Sequence, residues 1–233
     1  MTDEPGQLNH INNKSLREQV VAVLRDAILQ GDFKPGQSLV ETELAAQLGV
    51  SRAPLREAIQ ILNKEGLVET VPYHGTTVRR LHKKDIEELY SLRGLLEAFA
   101  IARIITMGNH QAVAGELHTI FEAMLAAADK GDLKKVNAVD RDFHDALISQ
   151  SNHDLLAATW SGVALRVRQV MALRNRRNSD LKDIAYNHLP IIEAVRDGDE
   201  ARAIDLIKKH VATSGDLMVG AWNDDDDYPG APE

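Results

Sequence analysis

The sequence predicts a mainly α-helical protein in two parts: an N-terminal winged helix-turn-helix of three helices plus a β-hairpin wing, followed by an all-helical bundle of six to seven helices. Three observations predict it. Apolar residues recur at helical spacing in three short segments between Leu16 and Glu65. Two β-branched runs flank His74-Gly75 immediately afterwards. From Lys84 onward the pattern is wholly helical.

The first helix spans Ser15 to Gln30, where Leu16, Val20, Val21, Leu24, Ala27, Ile28 and Leu29 form a stripe closed by Gly31. Pro35-Gly36 is a turn signal, and Glu41 to Leu48 is a second helix ended by Gly49. Ser51 is placed to N-cap a third helix running to about Glu65, with Leu55, Ala58, Ile59 and Leu62 on its buried face and Gly66 as its stop. Leu67 to Tyr73 and Thr76 to Leu81 read as the hairpin. Beyond it the helices break near Gly108-Asn109, Gly131-Asp132, Ser151-Asn152, Asn175 to Asp180 and Gly198-Asp199. No internal repeat is evident. The expected organisation is a disordered start over residues 1–13, a DNA-binding domain over 14–82, a helical domain over 83–222 and a disordered acidic tail over 223–233.

Composition narrows the function classes. Hydrophobic residues make up 44% of the 233 and aromatics only 4%, so Leu, Ile, Val and Ala build the core. With no cysteine, disulfide frameworks and thiolate metal sites are excluded. The N-terminus lacks an apolar signal core, and the most apolar stretch, Leu95 to Met107, is broken by Glu97 and Arg103. A cytoplasmic protein without a membrane partner is expected. The net charge of −8 is unevenly spread. Lys14 to Lys84 carries 11 basic against 8 acidic side chains, whereas Asp85 to Glu233 carries 16 against 25. A mildly basic head on an acidic body suggests two modules with different partners.

The second helix of a helix-turn-helix enters the major groove by its N-terminal end. Here that end reads Ser51-Arg52-Ala53-Pro54-Leu55-Arg56. Arg52 and Arg56 share one helix face, opposite the apolar stripe, and an arginine fork suits guanine or phosphate. Ser51 offers a hydroxyl to a phosphate or to the helix. Ala53 is small, and Pro54 is acceptable in a first turn. At the wing, His74, Gly75 and Thr76 are candidates for the minor groove, with Arg79 and Arg80 at its base. The bland reading, arginines decorating a solvated helix, loses ground to the ordered run of elements around them. The stretch from Leu16 to Val78 resembles the DNA-binding domain of the GntR family of bacterial regulators. The resemblance rests on Gly31, Pro35-Gly36, Glu43-Leu44-Ala45, Gly49-Val50-Ser51-Arg52, Pro54, Arg56-Glu57-Ala58, Leu62, Glu65-Gly66-Leu67 and Gly75. It implies a homodimer on double-stranded DNA with a near-palindromic operator. Thr42 stands where some relatives carry an arginine, so a contact made there in those relatives does not transfer.

Asp140 and His144 lie four residues apart, about 40° apart on one helix face. His188 lies at the start or a kink of a later helix, just before Pro190, and His210 in the last helix. One carboxylate and three imidazoles on three helices can converge on a divalent transition metal. With nine histidines in the chain, spacing alone is weak support. The region from Asp85 to Met218 is similar to the all-helical FCD domain of the FadR-like subgroup. It matches at Leu89 to Arg93 with Glu97, Asp140-x-x-Phe143-His144, Ser151-Asn152, Leu155, His188, Ile191, Ala194, Gly198-Asp199 and His210. In many members an Asp and three His in this order hold a metal that helps bind a small carboxylate effector. The resemblance implies that role for Asp140, His144, His188 and His210, with zinc first and nickel or manganese as alternatives. Effector candidates are Tyr90, Arg93, Asn152 and Arg166, with Arg168 behind them. Arg93 can equally pair with Glu97 along its helix, and Asn152 can simply cap one. His82, His118 and His153 fit no pattern and read as surface residues. Two alternatives remain: a purely structural metal, and a metal-dependent hydrolase, which lacks a separate general base at motif-like spacing.

Overall fold

The computed structural model describes residues 15–73, 75–175 and 180–220; the expected disordered start and tail, and His74, lie outside these. Among the described residues the order is α1 (Leu16–Gln30), α2 (Glu41–Leu48), α3 (Arg52–Lys64), β1 (Val68–Val71), β2 (Gly75–Val78), α4 (Lys83–Thr106), α5 (His110–Asp129), α6 (Leu133–Gln150), α7 (Asp154–Asn175), α8 (Leu181–Tyr186), α9 (Leu189–Asp197) and α10 (Glu200–Gly220). Among these residues three helices and a hairpin precede seven helices, and no described helix is long and apolar enough to cross a membrane.

Local chemistry accounts for the ends. Ser15 accepts from the Glu18 amide while Glu18 reaches back to the Ser15 amide, a reciprocal cap that starts α1. Gly31 and Gly49 end α1 and α2 in the left-handed conformation. The strands are shorter than expected, pairing from Val68↔Val78 to Val71↔Gly75. The segment before α2 also joins the sheet: the Leu39 amide donates to the Thr76 carbonyl and the Val78 amide to that of Gln37. Gly36 sits at φ 80° directly beneath Arg80, where a Cβ would come within 2.5 Å of Nε. Only glycine fits that turn.

Two cores result. In the first, Leu24, Leu55, Leu62, Leu67 and Val78 join α1, α3 and the wing. The larger one fills the bundle, in which α4 runs along α10 and α5 packs on α6, α8 and α9. The two parts meet through α7. It packs on α1, and its Leu165 lies against the N-terminal core.

Candidate DNA-contact surface and metal centre

At the head, Ser51 occupies the N-cap position of α3 in extended conformation, but its hydroxyl makes no capping bond. That expectation is corrected: the side chain is exposed and leaves the first-turn amides open. Arg52, Ala53 and Arg56 are exposed with it, Pro54 is half-buried in the first turn, and Thr42 is exposed at the start of α2. Arg56 is held from its neighbour helix, since its Nε donates to Glu41 Oε2 at 2.7 Å. In the wing Gly75 is exposed, as is Tyr73, which the sequence reading passed over. Thr76 departs from expectation. It is 5% exposed, and its hydroxyl is 2.9 Å from that of Thr70, because alternation along β2 turns this side chain into the sheet face that the core covers. Its side chain is therefore not a groove contact. Arg79 pairs with Asp85 at 3.7 Å, tying the wing base to α4.

In the bundle, α6 projects Asp140 and His144 inward, His188 is the residue before α9, and α10 supplies His210. The first three are completely buried and His210 is half-buried. One nitrogen from each imidazole lies within 4.8 Å of the others. Phe143 packs against the rings of both His144 and His188.

Hydrogen bonds set the tautomers. A backbone carbonyl only accepts, so His188 Nδ1 donates to Ile184 O at 2.8 Å and turns the lone pair of Nε2 inward. That lone pair faces Asp140 Oδ1 at 3.1 Å, and neither atom has a hydrogen-bond partner. Two buried acceptors this close require a proton or a cation between them. Asp140 Oδ2 is fixed by the Asn175 amide at 3.0 Å, and that amide also donates to Asn137 at 2.9 Å. At His144, the guanidinium of Arg93 can only donate, so Nε2 accepts from Arg93 Nη2 at 2.7 Å and Nδ1 donates to Glu97 Oε2 at 2.7 Å. Arg93 Nε closes the triad on Glu97 Oε1 at 2.6 Å.

The electrostatics follow. Burial would raise the Glu97 carboxyl, but the charges and hydrogen bonds of Arg93 and His144 overrule it and hold it down at about 2. Burial also opposes ionisation of Asp140, yet His188, His144 and the Asn175 amide keep it well below the carboxylate range. His144 is lowered by burial and by Arg93 against the pull of Glu97 and Asp140. His210 is lowered further by burial and by the neighbouring His188, His144 and Arg93. The three imidazoles and the buried carboxylate form a three-nitrogen, one-oxygen donor set that fits a divalent transition metal.

The effector candidates separate. Arg93 lies in the cluster and pairs with Glu97 at once, so the two readings of it are compatible. Tyr90 is buried beside it, its ring centroid 5.3 Å from Arg93 Cζ. Asn152 is corrected as an effector candidate and agrees with the cap reading: it is an exposed left-handed residue at φ 48° just after the Ser151 end of α6, and its carbonyl accepts from Arg103 at 3.5 Å. Arg166 is corrected too. It sits by Gly66 in a 260 Å³ groove with Arg79, Asp85 and Glu88, between wing and bundle. Arg168 pairs with Asp145 at 2.7 Å. His153 is half-buried and accepts from the Leu156 amide at 3.1 Å, so it caps α7. Glu97, Asn175 and Asn137 support the cluster and were not singled out for that role from sequence. Apart from Arg93, four residues from Glu97, their partners lie between 35 and 47 residues away in the chain.

Comparison with known proteins agrees with both halves. The model of the gntR family of bacterial regulatory proteins matches residues 16–78, and that of the FCD domain matches 88–213. A probable D-xylose utilization operon transcriptional repressor of Paenarthrobacter nicotinovorans is 34% identical over 200 residues, covering 84% of this chain and 87% of the relative. The gluconate operon transcriptional repressor of Bacillus subtilis is 27% identical over 217 residues, covering 91% and 88%. Among solved structures, a GntR transcriptional regulator from Rhodococcus sp. RHA1 superposes with a TM-score of 0.76 at 27% identity, over 90% of this chain and all of that one. The relatives are regulators and not enzymes, which removes the hydrolase alternative. The chain is a DNA-binding transcription regulator and belongs to the gntR family of bacterial regulatory proteins, with an FCD domain as its C-terminal part.

Proposed function

We propose that the protein is a cytoplasmic, homodimeric repressor whose operator binding is controlled by a small carboxylate held at a divalent metal on Asp140, His144, His188 and His210. The observation that carries the metal is the pair of buried acceptors, Asp140 Oδ1 and His188 Nε2, 3.1 Å apart and without a hydrogen-bond partner. The donor set favours zinc, with nickel or manganese as the alternatives. Arg93 and Tyr90 border the same cluster and supply a cation and an aromatic wall for an anion. Dimerisation is supported by a run of exposed apolar side chains on α4, Leu92, Leu95 and Phe99. Two heads would then meet two half-sites of a near-palindromic operator through Ser51, Arg52, Ala53, Pro54, Arg56, Thr42 and the wing tip around His74 and Gly75.

The test combines metal analysis of the purified protein with melting curves across a carboxylate panel, with and without zinc. Gluconate, named in one relative's operon, belongs in that panel. The reading expects about one metal per chain, and at least one acid that raises the melting temperature of the zinc-loaded form and releases operator DNA. If no acid stabilises the zinc-loaded protein, sensing fails and a structural metal remains.

A further inference from the structure

The metal reading assigns Arg93 a place beside an effector, but the geometry asks more of it. Its guanidinium is fully buried, and Nη2 sits 2.7 Å from His144 Nε2. Nε2 carries the only lone pair that His144 can offer a metal, because Nδ1–H is committed to Glu97. A zinc–imidazole bond is about 2.0–2.1 Å long. A metal on that lone pair would therefore take the position of the guanidinium proton, with two cations closer than any buried like-charge pair tolerates. Arg93 and the metal exclude one another at this nitrogen.

We propose that Arg93 is a stand-in cation: in the metal-free protein it offsets the charge of Glu97 and occupies the lone pair of His144, and metal loading expels it from that bond. The proposal rests on the metal reading above. It explains how buried Glu97 coexists with a neutral His144 in a folded metal-free bundle, since Arg93 supplies the positive charge. It also supplies a reason for the ligand class. Once displaced, the guanidinium keeps Glu97 on Nε but loses the acceptor on Nη2, and a buried charged donor without an acceptor calls for a new one. A carboxylate meets that need only after the metal has bound, so effector binding becomes conditional on metal.

Two measurements test this on the full-length chain, with zinc alone as the probe. In protein labelled with nitrogen-15 arginine, the Arg93 side-chain resonances, assigned by their loss in Arg93→Lys, should shift on adding one equivalent of zinc. By competition titration Arg93→Met should bind zinc at least roughly tenfold more tightly than wild type, because the competing donor and its charge are gone. Zinc bound by Arg93→Met and not by wild type also supports the proposal. If zinc binds the wild type while the Arg93 resonances stay in place, the stand-in role is overturned and the metal reading survives. If neither protein binds zinc, both fall. The resonance measurement does not use Arg93→Met, so a poorly folding Arg93→Met does not rescue the idea.

Discussion

The candidate DNA-contact surface and the buried histidine cluster both place arginines beside carboxylates, yet they do so under opposite conditions. Arg56 pairs with Glu41 at 2.7 Å with its side chain 60% exposed. Arg93 pairs with Glu97 at 2.6 Å with 2% exposed. In water an ion pair is worth little, so Arg56 can exchange Glu41 for a phosphate at small cost. In the interior neither partner can be removed without stranding the other, so Arg93, Glu97 and His144 behave as one unit. The head is built to be rearranged by a ligand from outside. The bundle is built so that any arriving charge must be answered by another.

The sharpest way to break this comparison is to strand the buried arginine. Glu97→Ala in metal-free protein should cost about 3–5 kcal/mol of stability, read as a large drop in melting temperature. A variant that melts like wild type would mean that the triad is not a charge-coupled unit. At the head the expected loss appears in binding instead. Arg52→Ala should weaken operator binding by about 1–3 kcal/mol while its melting stays within about 0.5 kcal/mol of wild type. Arg56→Ala should lose less, because Glu41 already competes for that side chain. If both bind operator like wild type, α3 is not the reading helix.

The smallest effect expected is on acid stability. His144 and His210 have folded values below their ordinary 6.5, so the unfolded chain binds protons more readily there. Their contribution is complete above 6.5 and is lost as pH falls below it. Glu97 is held at about 2 against an ordinary 4.5, so a second loss begins as pH falls below that range. Metal-free protein should therefore melt progressively lower from pH 7 to pH 4. A flat profile over that span would contradict the burial of neutral imidazoles.

Local patterns were enough to place the head because its signals are local. The Gly31, Gly49 and Gly66 stops, the Ser15 cap and the stripe of α3 each act within one turn, and the exposure of Arg52 follows from the opposite face being apolar. Thr76 was misjudged because a two-residue alternation reveals its face only once the strand boundary is known, and β2 begins at Gly75. In the bundle the helix breaks were legible, and α6 alone puts Asp140 and His144 on one side. Nothing local says that His188 and His210 come to meet them; a family resemblance supplied that order.

By itself, the sequence determined the period and punctuation of three head helices and six to seven bundle helices, a winged head, and a donor set of the right chemistry. Only the tertiary structure decided which charges share an interior. Glu97 reaches His144 across 47 residues, Asn175 reaches Asp140 across 35, and Arg166 and Asn152 fall outside the cluster. The physical reason is range. Helix period and capping are settled within a turn, whereas the desolvation that makes a buried charge demand a partner exists only after distant helices have closed around it.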